Sequence, residues 1–328
     1  MNIYDIAKEA NVSTATVSRV MNNKPNISPQ TQKRVRAVLE KYNYTPSSIA
    51  RGLMGNSMHL VGVVLRDIRH PYLNSSAFTI EQELYRSGYS CIISNASDCN
   101  PTPTLKIFAQ TKVDGIIIID SDFMNEATEQ AIIDYHPTTP IVFLNGSFDE
   151  PNVTSILCDD REGIVLCVDY LFQKGRTKPV YVNDRDTNSA QRKRTGFCDE
   201  MRKHGLQDPS VRVVQATVGF EGGKEAGRAI IQKFGGDVDC VICAEDTTAI
   251  GCIRAFEEAG LDVPGDIAVT GYSNAAVGKM TGKPLTTVDT RLEIMGLEAA
   301  TALYDKMTGK TRASKLIIMP GLFIGETA

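Results

Sequence analysis

The stretch from Val12 to Asn22, VSTATVSRVMN, carries the residues best suited to recognising another macromolecule. Val17, Val20 and Met21 recur at i, i+3 and i+4, which makes one apolar stripe of a short helix. Thr14, Ala15, Ser18, Arg19 and Asn22 are left on the opposite face. That face is small and rich in hydroxyls, with a single guanidinium. It can enter the major groove of a duplex, where hydroxyls and amides meet base edges or phosphates and an Arg makes two parallel bonds to guanine. An ordinary solvated helix can have the same composition, so the neighbouring sequence must decide.

Three elements would position this face. Ile3, Ile6, Ala7 and Ala10 give a first amphipathic helix, closed by a turn at Asn11-Val12-Ser13, with Ser13 as N-cap of the second helix. Two short helices joined by a tight turn form a helix-turn-helix. After the polar loop NNKPNI, Ser28 caps a third helix with Pro29 at its first position. Its stripe of Val35, Val38, Leu39 and Tyr42 would close over the first two. Thr45-Pro46 should end that helix. The following SSIARGLMGNS is long enough for two turns, but Gly52 and Gly55 weaken it. It reads either as a linker or as a hinge that folds only against DNA and a second copy of itself. In the second case Leu53 would be an apolar wedge in the minor groove.

Charge separates this head from the rest. Residues 1–58 hold eight Lys/Arg and three acids, a net of +5, whereas the remainder holds 27 Lys/Arg and 36 acids, a net of −9. A basic head on an acidic body implies a polyanionic partner for the head alone. At 42% apolar and 23% charged, the chain has the make-up of a globular protein. No run approaches the roughly 20 apolar residues of a membrane span, and MNIYDIAKEA is not a signal peptide, so the expected location is the cytoplasm. All eight cysteines lie beyond residue 90. Cys240 and Cys243 form a C-x-x-C inside the apolar run DCVICAE, where strand geometry would point them to opposite faces. Buried free thiols are expected, and neither metal nor cofactor.

From Val61 onward, apolar runs alternate with helix-like segments: VGVVL, CIISN, GIIII and IVFLN, then SILCD, PVYVN, VRVVQ, CVICAE and IAVTGY. Such runs read as parallel strands buried on both faces. The fold class is therefore α/β, with two successive Rossmann-like lobes joined near Leu157–Arg161. Ligands of such sheets bind beyond the strands' carboxyl ends, in a cleft between lobes. The candidates there are Asp67 and Tyr72, Asn145, Asp159 and Asp160, Arg192 to Arg194, Glu245 and Asp246, and Ser273. Any one of them alone is more often a helix cap than a contact; their convergence is the signal.

Residues 3–54 resemble the head and hinge of the lactose-repressor (LacI/GalR) family of bacterial regulators, in IYDIAKEANVSTATVSRVMNN through YTPSSIARGL. The resemblance continues in VGVVLRDIRHPY, KVDGIIII, AIGCIRAFEEAGLDVPGDIAVTGYSN and PLTTVD, and covers almost the whole chain. It implies base reading by Thr14, Ala15 and Arg19, and phosphate or supporting contacts by Tyr4, Ser13, Thr16, Ser18 and Asn22. It also implies Ala50 and Leu53 as hinge-helix positions. PLTTVDTR and LIIMPG would be further crossings between periplasmic-binding-protein-type lobes.

The implied division is a helix-turn-helix domain at 1–45, a hinge at 46–58 and an effector-binding and dimerisation body at 59–328. Within the body the first lobe would be about 59–157 and 291–317, and the second about 161–288 and 319–328. The effector contacts expected are Asp67, Tyr72, Asn145, Asp160, Lys193, Glu245, Asp246 and Ser273. Two of these depart from the family: Lys193 stands where many sugar-binding members have Arg, and Ser273 where many have Asp. The resemblance implies a sugar or related metabolite as effector; the alternative is an anionic ligand, since the Arg192-Lys193-Arg194 cluster beside a missing carboxylate would suit a phosphate or carboxylate.

Enzyme motifs are wanting. Gly309-Lys310-Thr311 mimics a P-loop ending but has Tyr304 in place of the first Gly, and GFEGGKEAG lacks dinucleotide-loop spacing. A solute-binding protein would explain the lobes but not the head. The expected function is a homodimeric, effector-responsive regulator, a repressor on a palindromic operator.

Overall fold

The computed structural model describes residues 2–21, 25–42 and 57–328. They fall into two compact units, Met1–His59 and Leu60–Ala328. The first contains α1 (Ile3–Glu9), α2 (Thr14–Met21) and α3 (Pro29–Lys41). Asn2 caps α1 by accepting from the Tyr4 and Asp5 amides, while the Asp5 carboxylate accepts from the Asn2 amide at 2.9 Å. Ile6, Ala7, Ala10, Val17, Val20, Val35 and Val38 form the core. Tyr42 does not join it. The backbone leaves helical geometry there, and the ring is 40% exposed beside Lys41. The expected end at Thr45-Pro46 and residues 46–56 of the expected hinge lie outside the described residues.

The body opens with β1 (Leu60–Leu65), α4 (Pro71–Arg86), β2 (Ser90–Asn95), α5 (Thr102–Thr111), β3 (Gly115–Ile119), α6 (Glu126–Tyr135), β4 (Ile141–Leu144) and β5 (Val153–Cys158). It continues with α7 (Asp160–Gln173), β6 (Pro179–Asn183), α8 (Asn188–Lys203), β7 (Val213–Gln215), α9 (Phe220–Phe234), β8 (Cys240–Cys243), α10 (Asp246–Glu258) and β9 (Ala268–Tyr272). It closes with α11 (Ala276–Lys279), β10 (Thr286–Asp289), α12 (Leu292–Met307), β11 (Lys315–Ile318) and β12 (Gly321–Phe323).

Two six-stranded sheets result, ordered β11-β5-β4-β3-β1-β2 and β12-β10-β9-β8-β6-β7. All pairings are parallel except β10 with β12. Helices cover both faces of each sheet. On the first, Ile80 and Leu84 of α4 join Met295 and Leu303 of α12 on one side, and Leu105 and Phe108 of α5 join Ile132 of α6 on the other. On the second, Cys240 packs toward α7 and α8 while Cys243 packs toward α9 and α10. Strand alternation separates these two thiols.

Two of the apolar runs differ from a strand buried on both faces. CIISN is the edge strand β2, with Ile93 39% exposed. VRVVQ starts its strand only at Val213, because Pro209–Arg212 form a 3-10 turn.

The chain passes between the sheets three times, from β5 to α7, from β10 to α12 and from β11 to β12. These crossings gather at one edge of each sheet. Toward the other edge strand order reverses, between β1 and β3 in the first lobe and between β6 and β8 in the second. Such reversals open crevices at the strands' carboxyl ends.

Candidate functional site

In the head, Ser13 holds the entrance of α2. Its Oγ accepts from the Thr16 amide at 3.2 Å and lies 3.0 Å from the Thr16 hydroxyl. With Val17 and Val20 buried, the outer face carries exposed Ala15 and Arg19 and half-buried Thr14 and Ser18. Tyr4, on α1, is 72% exposed. α3 is tied back to α1 by Lys41 and Glu9 at 2.7 Å, a surface ion pair of small energetic weight. Asn22, Ala50 and Leu53 lie outside the described residues.

In the body, a cleft of about 630 Å³, counting the space open at its mouth, lies beyond the carboxyl ends of both sheets. Six of the eight expected residues line it: Tyr72, Asn145, Asp160, Lys193, Glu245 and Ser273. Asn145 donates its amide to the Tyr72 hydroxyl. Asp160 accepts from the Tyr272 hydroxyl at 3.1 Å and from Arg192 at 3.2 and 2.7 Å. Lys193 Nζ donates to the Ala244 carbonyl at 3.0 Å and sits 3.7 Å from the centre of the Tyr272 ring. That places a cation on an aromatic face inside the wall.

Asp67 and Asp246 are not in the wall. Asp67 closes a local turn with Arg69, whose guanidinium and amide hold its carboxyl well below the usual range. Asp246 is the first residue of α10 and turns beneath the cleft floor. It accepts from the Ala275 amide at 2.7 Å and from the Thr287 hydroxyl, and burial raises it to about 6.

The basic triplet also separates. Arg192 is held by Asp160, Arg194 is exposed and outside the wall, and only Lys193 of the three lines the cleft. One turn of helix points successive side chains in different directions, so adjacency in sequence does not concentrate charge in space.

His70, Asp120, Asp184, Arg185 and Tyr272 also line the cleft and are absent from the residues expected there. Asp120 directly follows GIIII, and Asp184-Arg185 directly follow PVYVN, so the strand-end rule could have found them. Burial and the neighbouring Glu245 raise Asp184 above the ordinary carboxyl range, although the Thr248 hydroxyl donates to it at 2.8 Å. Burial also pushes Glu245 up, but His70, Thr247 and Arg185 together bring it below its usual value.

Three strands end in left-handed backbone at non-glycine residues: Asp120 after β3 (φ 118°), Asn145 after β4 (φ 62°) and Ser273 after β9 (φ 114°). Strain of this kind persists only where its surroundings impose it, and it gathers at ligand sites. The wall offers four carboxylates, Asp120, Asp160, Asp184 and Glu245, against the cations Arg185 and Lys193, with aromatic and amide groups between them. It can bind and orient a polar ligand through directional hydrogen bonds.

Comparison with known proteins matches both units. Residues 2–47 fit the family described as bacterial regulatory proteins, lacI family, and residues 58–327 fit periplasmic binding proteins and the sugar binding domain of the LacI family. Among the curated relatives, an HTH-type transcriptional regulator of Lachnoclostridium phytofermentans is 29% identical, over 100% of this chain and 99% of its own. The HTH-type transcriptional repressor PurR of Pasteurella multocida is 28% identical, over 99% and 98%. Among solved structures, the lac repressor dimer bound to operator and the anti-inducer ONPF superposes with a TM-score of 0.87, at 24% identity over 100% of this chain and 98% of that one. The CelR–cellobiose complex gives 0.74 at 22% identity, over 100% of both chains.

Proposed function

Since the chain belongs to the LacI family of bacterial regulatory proteins, and is a DNA-binding transcriptional regulator with a ligand-binding body, we propose that it is a homodimeric cytoplasmic repressor released or armed by a neutral, polyhydroxylated effector. A sugar or a close chemical relative is the ligand class. The observation that carries this reading is the cleft wall, in which four acidic side chains face two permanent cations, with Arg66 and Arg192 behind it pairing with Asp120 and Asp160. Carboxylates accept hydrogen bonds from hydroxyls, whereas they repel a phosphate. The anionic alternative drawn from Arg192-Lys193-Arg194 loses its support, because the triplet does not assemble in the cleft. A fold neighbour in complex with cellobiose agrees with this chemistry.

Dimerisation is supported by the outer face of α4. Phe78 and Tyr85, seven residues apart and so on one side of the helix, are 64% and 69% exposed, and Ile93 follows on β2. A two-fold dimer doubles the base contacts of one reading helix and fits a palindromic site. Lobe closure would then set the spacing of the paired hinge segments, and so whether Leu53 can wedge into the operator centre. An effector acts only through its different affinities for the two arrangements.

Thermal-shift screening followed by calorimetry on the full chain tests the effector class, with neutral sugars, sugar phosphates and nucleobases as probes. Binding of neutral sugars with no binding of phosphates is expected. Binding confined to phosphorylated or carboxylated compounds would overturn the reading.

A further inference from the structure

The reversals of strand order in the two lobes face each other across the cleft, and charged side chains bridge them. Arg185, after β6, reaches Asp120 at 3.4 Å and Asp122 at 3.1 Å, both after β3. His70, after β1, meets Glu245, after β8, at 3.1 Å. The same imidazole nitrogen lies 3.3 Å from Arg185 Nη2. Arg66, from the first lobe, braces Asp122 at 2.8 Å and Asp120 at 3.4 Å. Every side chain in this group is less than one-fifth exposed, so solvent screens these pairs less than ordinary surface pairs.

Position gives the group its leverage. The chain crosses between lobes at β5, β10 and the β11–β12 connection, along one edge of each sheet. β3 and β8 stand two strands from the crossing strands β5 and β10, and β1 and β6 three, which at about 4.8 Å per strand is roughly 10–14 Å. Rotation about the crossings therefore separates the bridged groups before it greatly disturbs Asp160 and Tyr272 near the pivot. Each bridging pair has one member in each lobe, so a small opening breaks them all.

We propose that Arg185 with Asp120 and Asp122, and His70 with Glu245, form a clasp that biases the lobes toward closure. The clasp sets the fraction of molecules with a closed cleft, and the apparent affinity of any ligand for that arrangement scales with this fraction. Its consequence for regulation rests on the ligand-switched reading above; the clasp itself does not.

Asp122 allows a clean test, because it grips Arg185 without lining the cleft. The chain contains no tryptophan, so a single one placed at the mouth reports alone. Met124 is half-buried in the first lobe, with its sulfur 3.5 Å from Asn188 Nδ2 of the second. In the full-length Met124→Trp protein, with neither DNA nor ligand, Asp122→Asn and Arg185→Gln should each red-shift the emission. Each should also raise the acrylamide quenching constant about twofold as the closed fraction falls. Far-UV circular dichroism should match the parent.

Unchanged emission and quenching in both variants would overturn the clasp. A response to Arg185→Gln alone would overturn the part given to Asp122 and leave Asp120 as the arginine's partner across the cleft. Because no effector or operator is added, failure here leaves the regulatory reading standing, and failure of that reading leaves this result intact.

Discussion

Arg192 grips Asp160 through Nε at 3.2 Å and Nη2 at 2.7 Å, and thereby leaves the anion-binding role its neighbours in sequence suggest for it. Asp160 is buried while Arg192 is 39% exposed. Arg192→Gln should destabilise the body by about 1–3 kcal/mol, below the full cost of breaking a wholly buried pair because the arginine is partly solvated. Urea unfolding gives the number. Affinity for a neutral sugar should fall; sugar-phosphate binding that the parent shows and the variant loses would mean that the arginine faces the ligand.

Arg19 stands exposed on α2, whose position is fixed by the Ser13 cap and by Val17 and Val20. Arg19→Ala should weaken binding to the preferred operator by about 1–3 kcal/mol and relax preference at one base pair. Selection from random duplexes with parent and variant measures both effects. An equal loss on every sequence would make Arg19 a phosphate contact.

Leu53 is assigned to the minor groove by resemblance alone. Leu53→Ala should reduce operator bending and affinity while sparing the melting temperature. Circular-permutation mobility shifts read the bend, and an unchanged bend rules out the wedge.

Asp246 gives the body a pH dependence of defined sign. Its carboxyl is raised to about 6, chiefly by burial, so the folded state holds the proton more tightly than the unfolded chain does. The associated stability is complete below about pH 4, falls between about 4 and 6, and is absent above. At about 1.4 kcal/mol per pH unit the span is about 3 kcal/mol. Asp246→Asn should remove this component from the profile of unfolding free energy against pH. A profile that keeps its slope between pH 4 and 6 would assign that slope elsewhere.

Gly222, Gly223 and Gly227 of GFEGGKEAG serve close packing, whereas Gly219 supplies a positive φ of 95° ahead of α9. A Cβ on Gly223 would lie 2.0 Å from the Thr248 carbonyl oxygen of α10, and one on Gly251 would lie 2.1 Å from the Phe220 carbonyl oxygen of α9. Gly223→Ala should therefore force the two helices apart, at about 3 kcal/mol by calorimetric unfolding. A loss under 1 kcal/mol, on the order of an ordinary surface change, would mean that the pair adjusts freely.

The parts of the molecule written in local periodicity were legible from the sequence. The head core from Ile6 to Val38, the Ser13 and Ser28 caps and the apolar strands all follow from spacing and residue type. What was not legible depends on direction and on long-range approach. Asp246 follows Glu245 by one residue, yet the start of a helix turns it beneath the floor. Lys193 and its two arginines share a sequence cluster but not a surface. His70 and Glu245 are 175 positions apart, and nothing local announces that they meet. Tyr42 continues a helical stripe that the backbone does not.

The three passages between sheets also govern the order in which the molecule can be made. α12 and β11 complete the first lobe, yet they are synthesised after nearly all of the second. On the ribosome, Ile80 and Leu84 of α4 must wait for Met295 and Leu303, and β5 lacks its outer neighbour until residue 315 emerges. The nascent first lobe therefore presents an apolar face and an open strand edge while the second lobe is being made, the kind of exposure from which misassembly starts.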